Sequence, residues 1–398
     1  MLMTSHGAGT RVGLLAVGVG LLMTVSPDPA TAVGPGAPGH RVHPRAAPTI
    51  TEFTVPTSKA HPFHITTGAD GNLWFTERDA NKIGRISPNG VFSEFQIPTP
   101  NARPTGIVLG PGDDVWFTES TSGKIGRINS DGVITEYTIC GAGTGAEEIA
   151  YGPDNAAWYT NTESNHVGRI TPFGAYSEYS IPTPHAGPHN IITGPTGRLW
   201  FTESGANKIG RLAIDGTFSE FSLPTAGSGP RGITSGSDGN LWVTEYTGNR
   251  IARMTTSGAI TEYPVPTPAA RPDTITPGPD DALWFVEARG NRIGRVDLDG
   301  VITEIRVPTA SSQPRGLANG PDGNIWFTEE LGNKIGRLNL TPTGPPPPLP
   351  ATSGPTRASG TNTGADEPVP GRLRRSQGGP DVPVRRARTR TRPDRQRS

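Results

Sequence analysis

Leu199-Trp200-Phe201-Thr202-Glu203, Asn207-Lys208-Ile209-Gly210-Arg211, Phe218-Ser219-Glu220-Phe221 and Leu223-Pro224-Thr225 follow one another in a single stretch, opened upstream by Gly187-Pro188-His189-Asn190-Ile191. The stretch is one copy of a repeat. The seven tryptophans of the chain, Trp74, Trp116, Trp158, Trp200, Trp242, Trp284 and Trp326, are each 42 residues apart. Each copy holds four short apolar or β-branched runs. Turns such as Asp70-Gly71-Asn72, Asn89-Gly90 and Asp131-Gly132 separate them, and Asn-Gly and Asp-Gly favour hairpins because both residues tolerate positive φ. Four strands in about 42 residues is the size of a propeller blade. No copy contains a run of 3.6-residue period long enough for a helix. The expected fold is an all-β, seven-bladed β-propeller of four-stranded blades.

Ring closure is legible at the ends. The fourth-strand glutamate recurs at Glu94, Glu136, Glu178, Glu220, Glu262 and Glu304, and once ahead of the first tryptophan, at Glu52 in Thr51-Glu52-Phe53-Thr54-Val55-Pro56. After Gly336-Arg337 no such strand follows. Residues 50–56 are therefore expected to complete the last blade, which removes an open edge. The arginine that ends each Ile-Gly-Arg run and the fourth-strand glutamate suggest cross-strand pairs on the blades. The tryptophans are expected to pack between blades.

Of the 398 residues, 53 are Gly and 42 Pro, as many tight turns require. Residues 1–32 read as a signal peptide: Arg11, the apolar run Val12 to Val25, then Ala30-Thr31-Ala32. That run is too short for a stable membrane span, so a secreted, extracellular chain is expected. Residues 33–49 read as a linker, 50–340 as the propeller and 341–398 as a disordered Pro/Gly/Arg-rich tail. The tail holds 11 Arg against 4 acids, while residues 50–340 hold 22 basic and 31 acidic residues. An acidic body argues against nucleic acid as a partner. The single cysteine, Cys140, can form no internal bridge. A monomer is expected.

A site should lie where the loops entering the first strands meet those leaving the second. The residue after the opening Pro is Phe63, Thr105, Glu147, His189, Arg231, Asp273 and Arg315 in successive blades. It varies although the repeat around it hardly does, which suggests an asymmetric funnel that binds a small polar molecule or a peptide. The second strand ends in Glu77, Glu119, Asn161, Glu203, Glu245, Glu287 and Glu329. Glu203 and Glu245 are candidate metal ligands and His189 a candidate catalytic base. The glutamates have a plainer reading as acceptors for loop backbone NH groups, and His189 as a surface histidine. The third blade departs most, with Glu147-Glu148 in place of the opening motif. His61, His64 and His185 lie in the same type of loop, at spacings that match no standard zinc motif.

Leu73-Trp74-Phe75-Thr76-Glu77, Asn81-Lys82-Ile83-Gly84-Arg85-Ile86 and Ile134-Thr135-Glu136-Tyr137-Thr138-Ile139 resemble the virginiamycin B lyase (streptogramin B lyase) family over all seven repeats. The resemblance implies a seven-bladed propeller and a Mg²⁺-dependent carbon–oxygen lyase that opens a cyclic depsipeptide antibiotic at its ester bond by elimination, a form of antibiotic resistance. The family carries a Tyr after the Pro of the first blade, a His in the sixth and Glu-Pro-His in the seventh. Here those positions are Phe63, Asp273 and Gln313-Pro314-Arg315, and the Gly-Pro-His motif occurs only at Gly187-Pro188-His189. The residues thus favour a ligand-binding propeller of this family. The alternatives are a Mg²⁺-dependent lyase on a cyclic depsipeptide or other ester, with His189 as base, and a lactonase-type hydrolase.

Overall fold

The computed structural model describes residues 48–139 and 145–340. The segments read from the sequence as a signal peptide, a linker (up to residue 47) and a tail, together with Cys140, lie outside the described residues. Within the first repeat, β2 (Pro62–Thr67), β3 (Leu73–Glu77), β4 (Lys82–Ile86) and β5 (Phe92–Gln96) form an antiparallel sheet in chain order. The same sheet recurs in every repeat, giving seven four-stranded blades. The seventh is completed by β1 (Thr49–Thr54), which pairs antiparallel with β28 (Lys334–Asn339), Glu52 opposite Gly336. The closure read from the sequence is the closure observed.

The two-residue period of the strands puts opposite faces of each blade against its two neighbours. Leu73 and Phe75 pack with Ala318 and Trp326 of the last blade. Trp74 packs with Ile107, Val115 and Phe117 of the next. The tryptophans are therefore core between blades, as expected. The glycine of β4 follows from the same packing. A Cβ on Gly84 would lie 2.1 Å from the Phe75 ring. In the fifth blade the facing residue is the smaller Val243, and Ala252 takes the glycine's place.

The expected Arg–Glu pairs do not form. The register sets Arg85 opposite Ser93 and Glu94 opposite Gly84, so the two side chains lie on opposite faces. Arginines instead meet the aspartate of the hairpin turn, as in Arg169–Asp154 at 2.6 Å and Arg253–Asp238 at 2.8 Å. The glutamates clamp the exit loop of the preceding blade. Glu94 accepts from the Thr57 backbone NH at 2.9 Å and its hydroxyl at 2.7 Å, and pairs with Lys82 at 2.9 Å.

Candidate functional site

The innermost strands β2, β6 (Pro104–Leu109), β10 (Ala146–Tyr151), β14 (Pro188–Thr193), β18 (Pro230–Ser235), β22 (Pro272–Pro277) and β26 (Pro314–Asn319) surround the central channel. Each is irregular at the same place, between the opening residue and the aliphatic residue three positions on. A bulge leaves residues unpaired and re-aims their side chains. Two residues per blade are released in this way. The first is the post-Pro residue. The second is His64, Gly106, Glu148, Asn190, Gly232, Thr274 or Gly316, and of these His64, Glu148, Asn190 and Thr274 line the channel. Below them Ile65, Ile107, Ile149, Ile191, Ile233, Ile275 and Leu317 form an aliphatic ring.

Threonines of the second strands hold the bulges in place. Thr202 accepts from the Asn190 backbone NH at 3.0 Å and donates to the Arg231 carbonyl of the next blade at 2.7 Å. Equivalent bridges run through Thr76, Thr118, Thr160, Thr244 and Thr328. The sixth blade has Val286 there. At that seam Asp273 of the sixth blade pairs with Arg315 of the seventh at 2.7 Å.

The post-Pro residues play unequal parts. Asp273 also pairs with Arg231 at 3.2 Å, and Arg315 with Glu330 at 2.6 Å. Arg78 reaches Glu330 at 2.7 Å and lies over the Phe63 ring, 4.5 Å from its centroid. Arg231 lies 3.7 Å from the centroid of the Tyr246 ring. Blades five, six, seven and one thus share one ion-pair chain. Burial works against the Asp273 carboxylate, but Arg231 and Arg315 hold it below the usual range. Thr105 stands apart, its buried hydroxyl bonded to Thr118 Oγ1 at 2.8 Å and the Glu147 carbonyl at 2.9 Å.

On the other side, His64 Nδ1 lies 3.2 Å from Glu148 Oε2. The second blade between them carries Gly106, where a Cβ would come within 2.8 Å of the Glu148 Cα. Burial disfavours a charged His64, yet Glu148 raises it above the ordinary histidine range. Burial pushes His189 the other way, down to about 4, and Arg231 adds to the effect. Its buried Nδ1 has no hydrogen-bond partner among the described residues. A neutral imidazole with so weakly basic a nitrogen is poorly matched to removing a carbon-bound proton near neutral pH. Burial, reinforced by Glu148, raises Glu147 to about 7.

Glu203 and Glu245 do not join this cluster. Strand alternation places them between blades, fully buried. Burial and the neighbouring fourth-strand carboxylate, Glu220 or Glu262, push each up to about 8. The plainer reading, backbone NH groups as partners, does not describe them either: neither carboxyl accepts from a backbone NH among the described residues. Magnesium asks for an octahedral set of oxygen ligands. Among the described residues no group of three or more His, Cys, Asp or Glu could hold a metal ion, and the Asp273 and Glu330 carboxylates already face arginines. Sequence reasoning missed Arg78, Tyr246 and Glu330, which follow the strand-ending glutamate. That position reads Arg78, Ser120, Thr162, Ser204, Tyr246, Ala288 and Glu330, and its variation against the repeat is the signal that would have found them.

The fold and these sequences have close counterparts. The crystal structure of virginiamycin B lyase from Staphylococcus aureus is 40% identical, with a TM-score of 0.71 over 74% of this chain and 100% of that one. A catalytically inactive histidine-to-alanine variant of the same enzyme with quinupristin is 39% identical, with the same TM-score and coverage. Virginiamycin B lyase of Bacillus licheniformis is 45% identical over 41 residues, 10% of this chain and 14% of that protein's length. The model of the virginiamycin B lyase family matches residues 31–223 and 142–345, and with seven matching blades the chain belongs to that family.

Proposed function

We propose that this chain is an exported member of the family whose central funnel binds a small polar ligand or a peptide segment, without the family's elimination reaction. One observation carries the reading. At the two late-blade positions where the resemblance implies catalytic histidines, Asp273 and Arg315 are paired at 2.7 Å and locked further by Arg231 and Glu330. An elimination needs a base free to take the α-proton and a group to stabilise the developing enolate. The arginines here have their charge spent on carboxylates, and His189 is too weak a base. Export rests on Arg11 and the apolar run that follows it, and full-length chain retained inside the producing cell would count against it.

The test is incubation of the purified chain with quinupristin and Mg²⁺. Binding without turnover gives saturable heat in calorimetry and a ligand recovered with its original chromatographic retention. Elimination would give an isomer of unchanged mass, a new double bond and a shifted retention, and would overturn the reading. A product heavier by one water would point to the hydrolase instead. The lyase reading draws on one feature, the His64–Glu148 pair, in which a carboxylate orients and charges an imidazole inside the channel. It predicts that His64→Ala abolishes any turnover observed.

A further inference from the structure

The third blade supplies two successive carboxyls, Glu147 and Glu148, from one bulge, where the other blades offer at most one acid. Glu148 is 4% exposed, yet it lines the channel. One of its oxygens faces His64 at 3.2 Å. The other, Oε1, is buried with no hydrogen-bond partner among the described residues. A buried carboxylate oxygen left unpaired is costly, and the cost is relieved by a donor that enters the site. The channel floor beneath is aliphatic, formed by Ile149, Ile191 and their counterparts. A hydrogen-bond donor carried on a short hydrocarbon stem meets both surfaces.

We propose that Glu147 and Glu148 form a subsite for the primary ammonium group of the ligand, with the isoleucine ring taking the attached methylenes. The proposal rests on the funnel being a binding site, as argued above. The charges of Glu148, His64, Arg78 and Arg231 act on Glu147. Burial and Glu148 together keep part of the Glu147 population protonated near neutral pH. An ammonium ion favours the ionised carboxyl, so binding releases a proton and tightens as the pH is raised through that range.

The test uses the full chain with isoleucine methyl groups labelled for NMR, titrated with butylammonium, butanol or butyrate. Butylammonium is expected to give saturable shifts of the Ile149 and Ile191 methyl signals, with affinity roughly tenfold above that of butanol. Affinity should rise from about pH 6 to about pH 8. Glu148→Gln should remove that preference while leaving the melting transition cooperative, and the three-probe comparison on the unaltered chain stands without any variant. Equal response to butanol, preference for butyrate, or no saturable shift overturns the subsite. Binding of butanol or butyrate alone would leave the funnel as a binding site, whereas elimination of quinupristin would sink the non-lyase reading and not this one.

Discussion

The seam between the sixth and seventh blades is built differently from the other six. Elsewhere a second-strand threonine bridges to the next blade's carbonyl, and the tryptophan stacks on a fourth-strand aromatic ring, as in Trp116–Tyr137 with centroids 5.6 Å apart. That ring is covered by the turn glycine of the next blade; a Cβ on Gly132 would lie 2.1 Å from Phe95. At the sixth blade all three features change. Val286 replaces the threonine, Ile305 the aromatic residue, and Pro48 stands where the glycine turn would be, because the neighbouring strand comes from the N-terminus. The Glu52 clamp on Thr309, at 2.9 Å and 2.8 Å, is the one the other blades also use, and in place of the threonine bridge Asp273 pairs with Arg315 at 2.7 Å. Apolar packing persists at this seam, where Trp284, Val286, Ile325, Phe327 and Leu338 form one cluster, and the Asp273–Arg315 pair that replaces the threonine bridge also shapes the mouth of the funnel.

The largest test of this contrast is deletion of residues 48–54. Without β1 the ring has an open edge and loses the Glu52 clamp, so cooperative thermal unfolding by calorimetry should be lost. A single sharp transition at the original temperature would refute closure by this strand. Next is Asp273→Ala, which leaves Arg231 and Arg315 facing each other without their shared carboxylate. Stranding buried charge costs about 3–5 kcal/mol, read as a shift of the denaturant midpoint. A loss no greater than that of a surface aspartate would show the pair to be ornamental.

A smaller effect should be common to both kinds of seam. Burial and Glu220 push Glu203 up to about 8, and burial and Glu52 push Glu329, at the sixth–seventh seam, up to about 7. Each holds a proton in the folded chain that the unfolded chain releases near 4.5. The folded state binds more protons in that window, so stability is highest below it and falls as pH rises from about 4.5 to about 8. Glu203→Gln and Glu329→Gln should each flatten the fall, Glu203→Gln the more, measured by urea unfolding at both ends of the window. If only one responds, the two seams differ in this respect as well. The smallest effects belong to the threonine bridge. Thr202→Val should cost about 1 kcal/mol. Val286→Thr, which supplies the missing hydroxyl, should stabilise by a similar amount, and a destabilising outcome would mean that the sixth seam has no room for the bridge.

Much of this architecture is legible in the sequence because a repeat is its own control. Tryptophans spaced 42 residues apart, the displaced strand at Glu52 and the variable residues after each proline establish blade number, closure and one ring of the candidate site. These features are local or strictly periodic. What only the tertiary structure decided is direction. The bulge in each inner strand breaks the two-residue alternation, so nothing in the spacing says that His64 and Glu148 would meet across Gly106. Register placed Arg85 away from Glu94. Burial between blades placed Glu203 and Glu245 away from the channel and pushed both carboxyls up to about 8. Side-chain direction and ionisation depend on what lies across the ring, and residues hundreds of positions apart become neighbours only once it closes.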